Sequence, residues 1–214
     1  MNEYLFLTLC GTGIRRAERD AAGEWHVESL LTDRDVTCLT GDPSRPQTLF
    51  AGCRNGVLRS DDGGKQWVES GMVGHIVKSV AVSRLDSNRV YAGTKPAYLF
   101  RSDDGGRTWH DLSGFRKIPN RWWWFSPAEP PDFRPYVMSI APSPTEHDVV
   151  LAGIELGAVV RSTDGGETWS RHRTGALRDC HSLKFHATDG TRLYQAGGTG
   201  AGAAFSLDGG LTFH

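Results

Sequence analysis

The sequence predicts an all-β protein assembled from repeated four-stranded units, and three observations carry that expectation. A short motif returns four times: SDDGGKQW at residues 60–67, SDDGGRTW at 102–109, STDGGETW at 162–169 and SLDGGLTF at 206–213. Each copy follows two apolar runs, first TLFAG, RVYAG, VVLAG or RLYQAG, and then in three cases GVLRS, YLFRS or AVVRS. Glycine supplies 26 of the 214 residues, about 12% against roughly 7% in average proteins. With no collagen period, that excess signals many tight turns between short strands.

The elements of one unit follow in order. A first apolar run (VTCLT, IVKSVAVS, YVMSIAPS, CHSLKFHA) precedes the two strands already named. Bulky residues fall on one face in VYAGT and VLAGI, and no 3.6-residue period persists, which favours strands over helices. The motif then makes a turn, and a fourth strand begins at its aromatic. Four strands every ~40–45 residues is the spacing of a β-propeller blade. A worn copy, ERDAAGEW at residues 18–25, keeps the distance from Asp20 to its tryptophan.

The motif has its own physical logic. Asp62, Asp104, Asp164 and Asp208 each precede Gly-Gly, a pair that tolerates positive φ. The carboxylate can accept backbone N–H bonds inside the turn, and the serine hydroxyl can close it. Trp67, Trp109, Trp169 and Phe213 then pack on the sheet. The repetition argues for a fold staple over calcium ligands or catalytic acids.

S-x-D-x-G-x-T-W resembles the Asp-box, or BNR, repeat of the sialidase-like propellers, and the four copies cover most of the chain. The resemblance implies that the boxes lie in the turn between the third and fourth strands, away from the ligand face. The segment 133–186 also looks like uncharacterised bacterial BNR-repeat proteins labelled glycosyl hydrolases, and photosystem II assembly factors share the architecture. On this reading residues 1–214 are one partial propeller domain, with three full and two partial blades. The chain enters at the second strand of a blade and leaves as the fourth box begins, so a truncated piece with open, self-associating blade edges is expected.

Successive boxes start at Ser60, Ser102, Ser162 and Ser206, so one interval is 60 residues where the others are 42 and 44. The excess is an inserted loop at about residues 113–135, and it contains RWWWFSPAEPP. Four of the seven tryptophans, Trp25, Trp67, Trp109 and Trp169, are therefore repeat packing, whereas Trp122, Trp123 and Trp124 belong to the insertion. They have two readings: a plug folded over neighbouring blades, or a stacking platform for a flat-faced ligand or a protein partner. Arg134, Tyr136, Glu155, Arg178, Asp179 and His181 map to the same end, and together with the tryptophans they form the expected ligand site. Glu155 stands where neighbouring repeats carry Arg54 and Lys95. It is expected to pair with an arginine, or to serve as a general acid/base.

A sialidase is not expected. The resemblance implies an arginine in a Phe-Arg-Ile-Pro motif ahead of the first box, whereas FRKIP at residues 115–119 is interrupted by Lys117 and comes too late. Tyr136 and Glu155 can be placed in the roles of the Tyr/Glu nucleophile pair, without motif support. Three function classes remain: a non-catalytic binding scaffold, for a glycan-like small molecule or a protein partner; a glycan-active hydrolase or lyase using Glu155, Asp179, His181 and Tyr136; and a purely structural assembly factor of the kind the photosystem II resemblance implies.

The totals exclude other classes. Lys plus Arg is 24 and Asp plus Glu is 25, so no nucleic-acid or acidic-membrane partner is expected. No apolar run approaches the ~20 residues of a membrane helix. P-loop and H-E-x-x-H patterns are absent and the four cysteines lack C-x-x-C spacing, so no cofactor and no metal are expected. With no export signal read at the N-terminus, reduced thiols in the cytoplasm are the simplest reading.

Overall fold

A computed structural model of the chain describes residues 4–198 and 200–214. The chain forms five antiparallel sheets in succession. Strands β1 (Tyr4–Cys10), β2 (Gly13–Arg19) and β3 (Trp25–Leu30) make the first sheet. The second comprises β4 (Val36–Gly41), β5 (Leu49–Cys53), β6 (Gly56–Ser60) and β7 (Val68–Glu69), and the third β8 (Ile76–Val82), β9 (Val90–Lys95), β10 (Leu99–Ser102) and β11 (His110–Asp111). The fourth holds β12 (Val137–Pro142), β13 (Val150–Ile154) and β14 (Val159–Ser162), and the fifth β15 (Ser182–Phe185), β16 (Leu193–Ala196) and β17 (Ala203–Ser206). Every sheet is a meander in sequence order, the blade topology of a propeller.

Inner strands β4, β8, β12 and β15 stand side by side, linked by hydroxyls. Thr37 Oγ1 donates to the Val77 carbonyl, Ser79 Oγ to Val137 O at 2.8 Å, and Ser139 Oγ to Leu183 O at 3.2 Å. The Ala-Gly step of each second strand has a matching cause. A Cβ on Gly52 would lie 2.8 Å from Val77, on Gly93 2.6 Å from Val137, and on Gly153 2.2 Å from Cys180. The next blade's inner strand presses on that glycine, so the residue is dictated by close approach and not by φ.

The boxes are built as the turn chemistry requires. In the first, Asp62 Oδ1 accepts the backbone N–H groups of Lys65 and Gln66, both at 3.0 Å, and the Ser60 hydroxyl at 2.8 Å, while Gly64 N donates to Ser60 Oγ at 2.9 Å. Gly63 and Gly64 sit at φ 73° and 83°, where an L side chain is strained. One repeated residue acts between blades. Arg16, Arg59, Arg101 and Arg161 each reach the next box and donate to the carbonyl of Gly63, Gly105, Gly165 and Gly209 respectively. The arginine before the serine of the first three boxes, with Arg16 in the blade ahead of them, is thus an inter-blade strap.

The fourth sheet departs from the expected full blade, because no outer strand forms after Trp169. Arg161 N donates to Ser170 Oγ at 2.9 Å and Val159 N to His172 Nδ1 at 3.0 Å, so side chains take the places of ladder carbonyls. Two of the three expected full blades therefore have four strands. Among the described residues, no helix is long and apolar enough to cross a membrane.

Candidate functional site

The strand order fixes the two ends of the blades. Boxes follow β6, β10, β14 and β17, at the end where each inner strand finishes. The β5–β6, β9–β10 and β13–β14 turns, and the blade-to-blade connections, lie at the opposite end, and the inserted loop is one of those connections. Box hairpins and tryptophan loop are on opposite faces, as the sequence predicts.

The loop is anchored before it displays anything. A 3-10 turn at Ser113–Lys117 buries Phe115, whose ring meets Trp124 at 5.8 Å and Trp169 edge-on at 5.5 Å. A second 3-10 turn, Arg121–Trp123, follows Asn120 at φ 63°. The Arg121 guanidinium covers the Tyr98, Phe115 and Trp124 rings at 5.4–5.6 Å and donates to the Ala97 carbonyl. Farther along, Glu129 accepts bonds from Lys78 and, at 3.0 Å, from Lys95, whose side chain is wholly buried.

The three consecutive tryptophans divide. Trp124 is 8% exposed and belongs to the core, unlike the two indoles before it. Trp122 and Trp123 are 74% and 70% exposed, and they stack on each other at 4.2 Å with an interplanar angle of 26°. A 3-10 turn brings successive side chains around the axis, so two indoles turn outward and the third turns in. This ridge separates two grooves that share Ile118 and Trp124 as a floor.

One groove, of about 500 Å³, is walled by Trp123 and Leu156 and carries Arg171, His172 and Arg178. The other, of about 530 Å³, has Trp122 and Tyr98 with Arg116, Arg121 and Arg134. Their charges differ in availability. Arg116 is engaged by Asp111, and Arg134 is held bidentately by Asp132 at 2.8 Å. In the first groove Arg178 donates to the Gly157 carbonyl at 2.9 Å, and neither Arg178 nor Arg171 is paired with a carboxylate among the described residues. Burial and the adjacent Arg178 charge push the His172 pKa down, so its imidazole is neutral at pH 7.

Glu155, Asp179 and His181 come together beside that groove. Glu155 sits in the β13–β14 turn, 5% exposed. Its backbone N–H bonds Tyr136 O, and Gly157 N bonds Arg178 O, so the turn is tied both to the inserted loop and to the segment bearing Asp179 and His181. Among the described residues no arginine pairs with Glu155, which corrects the expected salt bridge. Its Oε1 instead accepts the Ser126 hydroxyl at 3.2 Å, and His181 Nε2 lies 4.0 Å from its Oε2. His181 Nε2 also lies 3.2 Å from Asp179 Oδ1.

Tyr136, expected at the ligand site, is buried at 6% exposure beneath the Lys78 and Lys95 ammonium groups. Burial and the adjacent Glu155 carboxylate push its hydroxyl far above the usual tyrosine pKa, opposite to what a tyrosine nucleophile needs. Sequence reasoning missed Arg171, Ser126 and Glu129. Only Glu129 had a readable signal, an isolated acid in a loop facing the Lys78 and Lys95 positions.

A family model described as BNR/Asp-box repeat matches residues 100–111 and 160–171, so the chain carries BNR/Asp-box repeats. No curated protein matches the sequence. Among solved structures, the chain is similar to an ancestral GH74 enzyme, 21% identical with a TM-score of 0.62, covering 83% of this chain and 23% of that one. It is also similar to YCF48 from Cyanidioschyzon merolae, 13% identical with a TM-score of 0.58 (95% and 64% covered). A third is YCF48 bound to D1 peptide, 14% identical with a TM-score of 0.54 (100% and 77%). At these identities the likeness is one of fold, and the chain spans under a quarter of the GH74 enzyme's length.

Proposed function

We propose, starting from blades that carry BNR/Asp-box repeats, that this chain is a binding propeller taking an acidic saccharide on its box-free face. One observation carries the reading: two adjacent indoles stand 74% and 70% exposed on a loop whose neighbouring residues are pinned. Covering the open part of one indole is worth up to roughly 3–4 kcal/mol, and little is spent on ordering because Trp124 and Arg121 already hold the turn. A pyranose face stacks on Trp123, and its carboxylate or sulfate meets Arg178 and Arg171, which lack an acidic partner.

The fold does not choose between ligands, since one neighbour is an enzyme and another holds a peptide. The choice rests on the groove: an indole wall beside unpaired guanidinium groups in about 500 Å³ suits one or two sugar rings better than an extended strand. A hydrolytic reading draws on the meeting of Glu155 and Asp179. Their facing oxygens lie within 4.8 Å of each other and of a His181 nitrogen, compatible with the roughly 5–5.5 Å of a retaining carboxyl pair, but neither carboxylate lines the groove beside Trp123, and this favours binding over hydrolysis there.

Tryptophan fluorescence titrated with neutral oligosaccharides, uronate-containing oligosaccharides and acidic peptides tests the proposal. Saturable quenching by the uronate series is expected, weakened about tenfold or more by Trp123→Ala and shifted toward neutral sugars by Arg178→Gln. Binding unchanged in Trp123→Ala, or response to peptides alone, overturns it. Hydrolysis of a bound sugar that Glu155→Gln abolishes would instead establish the enzyme.

A further inference from the structure

We infer that Glu155, Asp179 and His181 form a site for one divalent transition cation between the β13–β14 turn and the segment leading into β15. One ligand atom from each residue lies within 4.8 Å of the others. The pairs with His181 Nε2 are 3.2 Å for Asp179 Oδ1 and 4.0 Å for Glu155 Oε2. Donors about 2.0–2.2 Å from a shared metal stand roughly 3.0–3.5 Å apart, so closing on an ion takes only side-chain adjustment.

The pattern of satisfied and orphaned oxygens points the same way. Glu155 Oε1 is held by Ser126, and Asp179 Oδ2 accepts the Gly198 N–H at 3.1 Å. The other oxygen of each carboxylate, Glu155 Oε2 and Asp179 Oδ1, is buried without a hydrogen-bond partner, and these are the two that face His181. One oxygen oriented from behind and one aimed forward is how outer-shell bonds prepare a metal ligand. Gly198 belongs to this arrangement, since a Cβ there would lie 2.3 Å from Asp179 Oδ2 and 2.9 Å from His181 Nε2.

A proton on His181 is the competing explanation. Nε2 carries one hydrogen, lies too far from Glu155 Oε2 to bond it, and approaches Asp179 Oδ1 without the alignment of a hydrogen bond. An imidazolium therefore leaves Glu155 Oε2 orphaned, whereas one cation meets all three donors. Two carboxylate oxygens and one imidazole nitrogen suit Zn²⁺, Mn²⁺ or Fe²⁺, and a lone nitrogen among so few oxygens disfavours Ca²⁺. The site is independent of the sugar proposal, because none of its three residues lines the groove beside Trp123.

Calorimetry of chelator-treated protein with Zn²⁺, Mn²⁺ and Ca²⁺, joined to the visible spectrum with Co²⁺, is the test. One equivalent of Zn²⁺ and of Mn²⁺ is expected to bind, with Ca²⁺ much weaker and with Co²⁺ ligand-field bands. His181→Ala and Glu155→Gln should each weaken binding by about a hundredfold, since even outer-shell partners are worth roughly 10–100-fold. Melting curves in chelator confirm that each variant is folded, and His181, the most exposed of the three, is the safer substitution. Equal binding by wild type and both folded variants assigns the metal to exposed surface histidines and overturns the site, as does no binding at all.

Discussion

The two faces of this propeller handle carboxylates in opposite ways. At the box face, Asp62, Asp104, Asp164 and Asp208 repeat one arrangement, each carboxylate accepting from a serine hydroxyl and from backbone N–H groups. At the other face Glu155 and Asp179 each keep a buried oxygen without a partner, and among the described residues no other blade reproduces them. The box face is satisfied by its own turn and needs nothing from outside. The opposite face holds an unmet electrostatic demand beside two uncovered indoles, and that contrast separates scaffold from site.

The largest effect that sharpens this contrast lies inside the tryptophan triplet. Trp124→Ala empties a core position against Phe115 and should cost about 3–5 kcal/mol of stability, whereas Trp122→Ala should stay within about 0.5 kcal/mol. Chemical denaturation measures both, and equal losses would erase the distinction between anchor and platform. Next comes the blade contact: Gly93→Ala drives a methyl to 2.6 Å from Val137 and should cost about 1–3 kcal/mol. A neutral outcome would mean that the inner strands are not pressed together there.

The smallest effect concerns acid. Hydrogen bonds from Gln66 N, helped by Ser60 and opposed by burial, hold the Asp62 carboxyl below its ordinary 3.8. At Asp208, burial pushes up but the Thr212 hydroxyl and backbone bonds prevail, leaving about 2. Because the folded pKa values are depressed, the boxes contribute stability in full above about pH 4 and lose it as pH falls toward 2. Melting temperature should therefore drop across that window, and Asp208→Asn should flatten part of the fall. A melting temperature insensitive to pH from 5 to 2 would show that the boxes do not staple the fold.

Much of this was legible in order of how local the physics is. Box chemistry spans eight residues, so repetition in the chain exposed it directly. The position of the tryptophan loop followed from one long interval between boxes. Three of the four strap arginines were visible as the residue before a box serine, but their partner lies roughly 46–64 residues later, and no local pattern names it. The Ala-Gly step was equally visible and equally mute, since the reason for glycine sits in the next blade.

Sequence alone determined the blade, its hairpin staples, the end of the molecule that is free to vary, and the residues gathered there. Tertiary structure decided which of three consecutive indoles is core, that Glu155 meets a histidine and not an arginine, and that two carboxylate oxygens face each other unsatisfied. Those outcomes depend on the direction of side chains brought together across blade boundaries. A pattern repeating along the chain carries the period of the backbone, whereas contacts between blades are set by packing distances that the period leaves free.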